Sequence, residues 1–386
     1  MSAETAFARP LARRNEIWRE YPLLTPHAQE HGEIIDLACA YLTEPVPAHI
    51  VQAAHDALDR GQTHYVDRLG IKPLREAIAA TLAQEGNGNL TPDHILVTSG
   101  AQEALFVTFR SRMKPGDEIL VPDPGYPLMH PIAELAGGVV VPVSSAADGF
   151  AFKASRYADA ITQRTRFILL LSPNPATCQL IAPQELDRIL QLAEQHQLVV
   201  ILDAALSKGI FQGSTSKTFS NGLPERLILI SSLSKFYRMS GWRIGWIAGS
   251  DAFLSPLRDL KQALSICSAS ISQWAAVAAL TGPQDWLSEQ QAAFANLRDL
   301  TTHALNAMGL TSIPSDAAFS LFVDIRRTGL TSQSFTNLAL NQARVRVTPG
   351  TEYGAAGEGF VRISYASPPA QIETALNRLQ HALSHI

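Results

Sequence analysis

The chain has 386 residues, enough for two domains that share one large core, and its 46% hydrophobic and 17% charged residues are typical of a globular protein. A formal net charge of −4 argues against a nucleic-acid-binding protein, because such a surface needs clustered basic residues. No apolar run reaches the length of a transmembrane helix, and the first residues do not resemble a secretory signal. Three scattered cysteines without metal-ligand spacing predict no metal site and a reduced, cytoplasmic protein.

The first part of the chain contains three helical patterns. Residues 12–24 mix charges with large apolar side chains, which is typical of a short amphipathic helix, and a frayed tail is the competing interpretation. Prolines at positions 22 and 26 disfavour its continuation. Two further helices are predicted at residues 50–58 and 73–84, where apolar residues recur at helical spacing.

Apolar strands then alternate with amphipathic helices. The predicted strands cover residues 95–97, 118–121, 167–171, 198–202 and 227–230, and the predicted helices begin at residue 101 and cover residues 184–196. This alternation predicts an α/β fold with a mostly parallel sheet and helices on both of its faces. Ligands bind at the carboxyl ends of such strands, so we expect the functional residues there.

The last part of the chain predicts a smaller α/β domain. A long helix is predicted over residues 286–308, followed by strands at 318–323, 345–347 and 360–364 and a final helix at 370–384. We therefore divide the chain into an N-terminal segment at 1–47 that joins the small domain, a large cofactor-binding domain at 48–288 and a C-terminal small domain at 289–386.

Residues 231–246 carry the most informative motif, Ser-Ser-Leu-Ser-Lys-Phe-Tyr-Arg-Met-Ser-Gly-Trp-Arg-Ile-Gly-Trp. Its lysine, Lys235, directly follows a strand predicted to be buried. Desolvation disfavours the charged form of a lysine, lowers its pKa and makes the amine nucleophilic, as Schiff-base chemistry requires. A surface-loop lysine is the alternative, and the following Gly-Trp-Arg-Ile-Gly makes it the weaker one.

At these residues the sequence resembles the class I/II aminotransferases, which are fold-type I enzymes that depend on pyridoxal phosphate (PLP), and the likeness extends from about residue 35 to the C-terminus. The resemblance implies that Lys235 forms a Schiff base with PLP and later acts as the general base. It also implies that Ser232, Ser234 and Arg243 hold the phosphate of the cofactor.

Two loops after predicted strands supply further candidate residues for binding the cofactor. Ser99, Gly100 and Ala101 join a predicted strand to a predicted helix, and the backbone N–H groups at a helix N-terminus bind phosphate well. The alternative is that this Ser-Gly turn only connects the two elements, as such turns commonly do. The resemblance assigns this loop to the phosphate. It also implies that Tyr126, in Asp-Pro-Gly-Tyr-Pro, stacks on the pyridine ring rather than being an incidental turn residue.

Two polar residues follow the next strands. Asn174, in Asn-Pro-Ala-Thr, resembles the start of the family motif Asn-Pro-Thr-Gly, which implies a hydrogen bond to the phenolic oxygen of PLP and a place beside the substrate. Asp203 ends a predicted buried strand, where an unpaired carboxylate is costly, and a pyridinium N–H is a natural partner. A helix N-cap is the alternative role for Asp203.

Three residues concern the substrate and a second subunit. Arg362 resembles the family arginine that binds the α-carboxylate with two parallel hydrogen bonds, although a surface arginine is the alternative. Ala40 stands where the family commonly has a glycine that lines the substrate pocket. Tyr65 resembles a tyrosine that reaches the phosphate in the neighbouring subunit, which implies a homodimer with shared active sites; a tyrosine packed under a loop is the alternative.

The chain also departs from the family pattern. The family usually has a tyrosine where this chain has Leu206, and the residues at Ala40 and after Asn174 are changed as well. Loss of a donor to the phenolic oxygen alters the electron demand of the ring. The main prediction is an aminotransferase that moves an amino group from an α-amino acid to a keto acid. The alternative is a PLP-dependent lyase, cyclase or oxidase that acts on an amino acid. A third, non-enzymatic hypothesis is a regulatory or binding module that keeps the aminotransferase fold.

Overall fold

The computed structural model describes residues 34–88 and 90–384. The helix predicted at residues 12–24 lies outside the described residues. Within the described part, no helix has the length and apolar character needed to cross a membrane. The same residues form no cluster of three or more His, Cys, Asp or Glu side chains arranged to hold a metal ion.

The strands agree with the predicted apolar runs and add several that were not predicted. They are β1 (Ile35–Asp36), β2 (Ile95–Thr98), β3 (Glu118–Asp123), β4 (Val139–Ser144), β5 (Thr165–Leu171), β6 (Val199–Asp203), β7 (Leu227–Ser232), β8 (Gly245–Ala248), β9 (Thr311–Ser312), β10 (Ser320–Asp324), β11 (Val345–Arg346), β12 (Thr348–Pro349) and β13 (Phe360–Ser364). The predicted strand at 345–347 is divided in two, because the chain changes its pairing partner there from β1 to β13.

The α-helices confirm each helix predicted within the described residues. They are α1 (Ala48–Asp59), α2 (Lys72–Gln84), α3 (Ala101–Arg112), α4 (Met129–Leu135), α5 (Ala154–Ala160), α6 (Pro183–Gln195), α7 (Asp251–Ser265), α8 (Ser270–Thr281), α9 (Asp285–Ala307), α10 (Ser332–Asn341) and α11 (Pro369–Leu383). In α6, proline at the first position is preset for a helix, and Leu186, Ile189 and Ala193 form its buried face. The predicted domain boundary at 288 falls in the first turn of α9.

A seven-stranded sheet with the order β2-β8-β7-β6-β5-β3-β4 forms the centre of the molecule. All its neighbouring strands are parallel except β8, which runs antiparallel to both β2 and β7. Successive residues of a strand point to opposite faces, so Ile168 lies in one apolar core and Phe167 and Leu169 in another. Helices therefore cover both faces, as predicted.

A second sheet, with the antiparallel order β12-β13-β10-β9, lies in the C-terminal part. β1 pairs in parallel with β11, so residues 35–36 lie beside this C-terminal part. Asp123 at the end of β3 joins the two sheets, because its carboxylate accepts hydrogen bonds from the backbone N–H of Ala356 at 3.1 and 3.3 Å. The carboxyl end of β3 therefore contacts the loop that leads into β13.

Candidate active site

Lys235 lies three residues beyond β7, where its side chain is enclosed by other charged groups. Its Nζ donates a hydrogen bond to the carbonyl oxygen of Ala40 at 2.7 Å. Burial, followed by the positive charge of Arg362, lowers the pKa of Lys235 to about 8. The amine is therefore partly neutral at physiological pH, which is the form that acts as a nucleophile or a base.

Asp203 is the last residue of β6 and its carboxylate points into the same region. Oδ1 accepts a hydrogen bond from the backbone N–H of Ala205 at 2.9 Å, and no described residue donates to Oδ2. Burial raises the pKa of Asp203 to about 6, while that hydrogen bond and Lys235 act in the opposite direction. Asp203 thus offers one carboxylate oxygen for a cationic N–H donor.

Tyr126 follows β3 and packs against the apolar core on one face of the central sheet. Burial raises its pKa to about 12, with Asp203 adding to the rise and Arg243 opposing it. Its ring is therefore held beside both of these charged groups. A neutral aromatic ring in this position suits a flat conjugated ligand.

Asn174 holds its own loop with its side chain. Oδ1 accepts hydrogen bonds from the backbone N–H groups of Ala176 at 2.8 Å and Thr177 at 3.2 Å, and Nδ2 donates to the carbonyl oxygen of Pro124 at 2.9 Å. An amide nitrogen has two hydrogens, so the second hydrogen remains for a ligand. The changed residues after Asn174 still form the loop that orients it.

The Ser99–Ala101 loop lies against Arg243. The guanidinium donates from Nη2 to the carbonyl oxygen of Ser99 at 3.1 Å and from Nη1 to that of Ser240 at 2.9 Å. Gly100 has φ of +84°, and a Cβ there would overlap with the guanidinium, so this close approach requires glycine.

The same loop presents two backbone donors and two nearby hydroxyls. In the described part of the chain, the N–H groups of Gly100 and Ala101 donate to no other residue, whereas the Ser99 N–H donates to Glu103. The Ser99 N–H is therefore already engaged, whereas its hydroxyl is available to a ligand. Ser232 lies at the end of β7, where its Oγ accepts a long hydrogen bond from the N–H of Ser234 at 3.4 Å. The cluster of donors and one arginine is suited to an anion.

Arg362 lies in β13, the strand between β10 and β12, and is only 4% exposed. Its Nε donates to Oγ of Ser320 at 2.9 Å, and its Nη1 makes a long hydrogen bond of 3.5 Å to the carbonyl oxygen of Cys39. The surface-arginine alternative is therefore wrong. The long contact is the one that a carboxylate replaces most readily, because charge-assisted pairs with arginine are shorter and stronger.

Cys39 and Ala40 form a backbone link between Arg362 and Lys235. The carbonyl oxygen of Cys39 faces Arg362 and that of Ala40 faces Lys235, while the Cys39 thiol donates to the carbonyl oxygen of Tyr41 at 3.1 Å. Burial raises the pKa of this thiol, so it is protonated at neutral pH. The segment therefore covers the two cationic groups from one side.

Two further residues have sequence-based assignments, Tyr65 and Leu206. Tyr65, in the loop between α1 and α2, is 80% exposed, which rules out the alternative that it packs under a loop. Leu206 precedes the short 3-10 turn Ser207–Gly209 and packs against the apolar core on one face of the sheet. Its side chain supplies no hydrogen-bond donor.

Sequence reasoning missed Cys39, Glu103 and Ser320 as neighbours of the site. Glu103 had a usable signal, since an acidic residue in the first turn of a helix commonly binds free backbone N–H groups. Ser320 and Cys39 had none, because their importance depends on contacts with Arg362, which is distant in sequence.

Several known proteins resemble this chain over most of its length. The sequence matches the family described as aminotransferase class I and II over residues 33–379. An aspartate aminotransferase of Pyrococcus abyssi is 32% identical over 357 residues, which cover 91% of this chain and 92% of that protein. An aromatic-amino-acid aminotransferase of Thermococcus litoralis is 30% identical over 362 residues, which cover 92% of this chain and 93% of that protein.

Solved structures give the same result. A double mutant of the Thermus thermophilus aspartate aminotransferase superposes with a TM-score of 0.88 at 28% identity, covering 99% of both chains. An aromatic aminotransferase of Pyrococcus horikoshii gives a TM-score of 0.87 at 32% identity, covering 91% of this chain and 96% of that one.

Proposed function

Because the chain belongs to the class I and II aminotransferases, which use pyridoxal phosphate, we propose that Lys235 binds this cofactor covalently and that Arg362 binds the carboxylate of the amino-acid substrate. The predicted fold-type I architecture and the transfer of an amino group from an α-amino acid to a keto acid are confirmed by the family and by the similar structures. The matched proteins carry aminotransferase names, which favours this reaction over the lyase, cyclase or oxidase alternative.

The residues of the site fit the cofactor group by group. The unpaired Oδ2 of Asp203 suits the protonated ring nitrogen, Tyr126 the ring face, and the remaining hydrogen on Nδ2 of Asn174 the phenolic oxygen. The hydroxyls of Ser99, Ser232 and Ser234, the free N–H groups of Gly100 and Ala101, and the guanidinium of Arg243 together suit the phosphate. Because the Leu206 side chain has no hydrogen-bond donor, we assign the hydrogen bond to the phenolic oxygen to Asn174.

Pyridoxal phosphate, when bound, supplies an aldehyde that condenses with amines and a ring that takes up the electron pair released at the substrate's α-carbon. Nζ of Lys235 would hold the aldehyde carbon of this group and, when free, would take the proton from the substrate's α-carbon as the general base. The carboxylate of Asp203 would keep a proton on the ring nitrogen. Arg362 fixes the substrate carboxylate and so orients the α-carbon toward Lys235.

The pairing of a partly neutral lysine with a buried arginine is the observation that carries this assignment. Arg362 selects for a carboxylate and places no limit on the substrate side chain. Since relatives are named for aspartate and for aromatic amino acids, both classes are the first donors to test.

Reduction with borohydride tests the assignment of Lys235 directly. We expect the reduced pyridoxyl label on the peptide that contains Lys235, and no label after Lys235→Ala. Lys72→Ala is the matched control, since Lys72 is 73% exposed at the start of α2. A label on any other peptide of the unaltered protein would refute the proposal.

Screening amino donors tests the assignment of Arg362. We expect Arg362→Gln to raise the KM for amino-acid donors by roughly 100-fold, because a charge-assisted, two-bond contact is lost. The apparent affinity for the cofactor is expected to change little. An unchanged KM for every donor would contradict the assignment.

We also infer that the protein acts as a homodimer in the cytoplasm. Tyr65 is 80% exposed, and Leu264 and Ile266 are 51% and 48% exposed. The loop of Tyr65 is held against this region, because Arg68 pairs with Asp259 at 2.7 Å. We propose that these three exposed side chains form one apolar surface patch with a second copy of the chain as its cover. The three free thiols support a reducing compartment.

A further inference from the structure

The backbone of Ser99 is held by hydrogen bonds at both its N–H and its carbonyl oxygen. Its carbonyl oxygen accepts a hydrogen bond from Arg243 at 3.1 Å, and its N–H donates to Oε2 of Glu103 at 2.5 Å. Glu103 lies in the first turn of α3, where the helix dipole favours a negative charge. The loop assigned to the cofactor phosphate is therefore supported from behind by a carboxylate.

A carboxylate in this position creates an electrostatic problem. The phosphate of the cofactor is itself negative, and like charges at short range repel one another more strongly where water is excluded. The cost is reduced if a positive charge lies on the other side of Glu103. The structure supplies such a charge.

Lys261, on α7, is fully buried, and hydrogen bonds through Ser265 connect it to Glu103. Its Nζ donates to Oγ of Ser265 at 3.1 Å, and the Ser265 hydroxyl donates to Oε1 of Glu103 at 2.8 Å. A hydroxyl has a single hydrogen, so an ammonium group on one side and a carboxylate on the other set its direction. The chain of donors therefore runs one way, from Lys261 to Glu103.

Two opposing effects act on the pKa of Lys261. Burial lowers its pKa, and Glu103 is the first group that opposes this effect. A buried lysine is expensive unless a nearby negative charge compensates it. Lys261 and Glu103 are thus linked as a pair, although they lie on different helices. Neither residue takes part in the reaction steps that we assign to Lys235, Asp203 and Arg362.

We propose that Lys261, Ser265 and Glu103 form a positioning network that fixes the Ser99 peptide and offsets the negative charge behind the phosphate site. The network acts through the loop and contacts neither the ring nor the substrate groups. This inference rests on the proposed function, since it takes the Ser99–Ala101 loop as the phosphate site.

The test compares pyridoxal phosphate with pyridoxal, which lacks the phosphate, in binding titrations of the full-length protein freed of cofactor. The ratio of the two affinities reports the phosphate site alone. We expect Lys261→Met to lower this ratio on the order of tenfold, because Glu103 is left uncompensated beside the phosphate. Glu103→Ala is expected to lower it similarly, because the Ser99 N–H loses its acceptor.

Rescue by a second substitution separates this role from general damage to the fold. Glu103→Gln keeps an oxygen acceptor for the Ser99 N–H and removes the charge, so the double variant with Lys261→Met should recover the ratio to within about twofold. If Lys261→Met does not fold, Ser265→Ala breaks the same chain and should lower the ratio a few-fold. Lys72→Met, on an exposed lysine, serves as the control and should change neither affinity.

The possible failures are distinguishable. If the unaltered protein binds pyridoxal and pyridoxal phosphate equally well, the proposed phosphate site is wrong. If the unaltered protein prefers pyridoxal phosphate but Lys261→Met lowers both affinities equally, the network is merely structural and the inference is wrong. Failure of the double variant to recover the ratio would also overturn it.

Discussion

At the scale of single residues, the site depends on how burial and neighbouring charges set protonation. Lys235 is desolvated and lies near two guanidinium groups, those of Arg362 and Arg243, and all three effects lower its pKa. Asp203 opposes them, yet the pKa still falls to about 8. Arg362, to which we assign the substrate carboxylate, therefore also increases the neutral fraction of the Lys235 amine.

The rate at which cofactor-free protein captures pyridoxal phosphate should depend on pH accordingly. The neutral amine reacts, so the rate should rise with pH, level off above about 8 and fall roughly tenfold for each pH unit below that. Stopped-flow absorbance of the cofactor measures this rate. Arg362→Gln should move the midpoint to higher pH, because it removes a charge that lowers the pKa. A midpoint that stays in place or falls would contradict the electrostatic account.

At the scale of elements, β3 and the loop before β13 fit together with little free space. The N–H of Gly125 donates to the carbonyl oxygen of Tyr353 at 2.7 Å, and Asp123 binds the N–H of Ala356 at 3.1 Å. Gly354, between them, has φ of +133° and ψ of 168°, a region that is essentially restricted to glycine. These contacts fix the loop that leads to the strand carrying Arg362.

Gly354→Ala should therefore be costly. A Cβ at this position would overlap with the carboxylate of Asp123 and would strain the backbone, so we expect a loss of about 2–4 kcal/mol in the free energy of unfolding. The KM for the amino donor should rise as well, since Arg362 follows this loop. Denaturant unfolding and steady-state kinetics measure the two effects.

Gly329→Ala is the matched control for this substitution. Gly329 also has a positive φ, of +72°, but a Cβ there would meet no atom within 4 Å. Only backbone strain remains, so we expect a loss of about 1 kcal/mol and an unchanged KM. Equal effects of the two substitutions would show that the contact with Asp123 contributes nothing.

At the scale of the whole molecule, the candidate site combines residues of two sheets. The central sheet provides Asp203 and the loop of Lys235, and the second sheet provides Arg362. The patch that we propose around Tyr65 combines two segments that are distant in sequence and joined by the ion pair of Arg68 with Asp259. The domain boundaries at 47 and 288 stay predictions, and so does the homodimer.

Sedimentation should give twice the chain mass of 41.8 kDa at micromolar concentration. Leu264→Glu places a charge in the patch and should weaken the dimer by tenfold or more, because an unpaired charge is costly in an apolar interface. Leu135→Glu is the control, since Leu135 is 53% exposed and lies on α4, which contributes no residue to the proposed patch. A monomeric unaltered protein would refute the homodimer.

The sequence by itself indicated the helices and strands with the clearest apolar patterns, the family and the residues that we propose for the cofactor, but it did not predict α4, α5, α7, α8, α10 or the parallel strand β4. The indicated features follow from local patterns, because apolar periodicity reports burial within one element and the motif around Lys235 is continuous. The sequence did not reveal that β8 is antiparallel to its neighbours. A short apolar run indicates that a strand is buried, but it does not indicate in which direction the strand runs.

Only the tertiary structure decided how distant residues act together. The contacts of Glu103 with Ser265, of Arg362 with Ser320 and Cys39, and of Asp123 with Ala356 each join separate elements. Such contacts depend on how helices and sheets pack, and packing is not encoded in the spacing of residues along one element. The pKa values of Lys235 and Asp203 depend on it too, because desolvation and charge act through space.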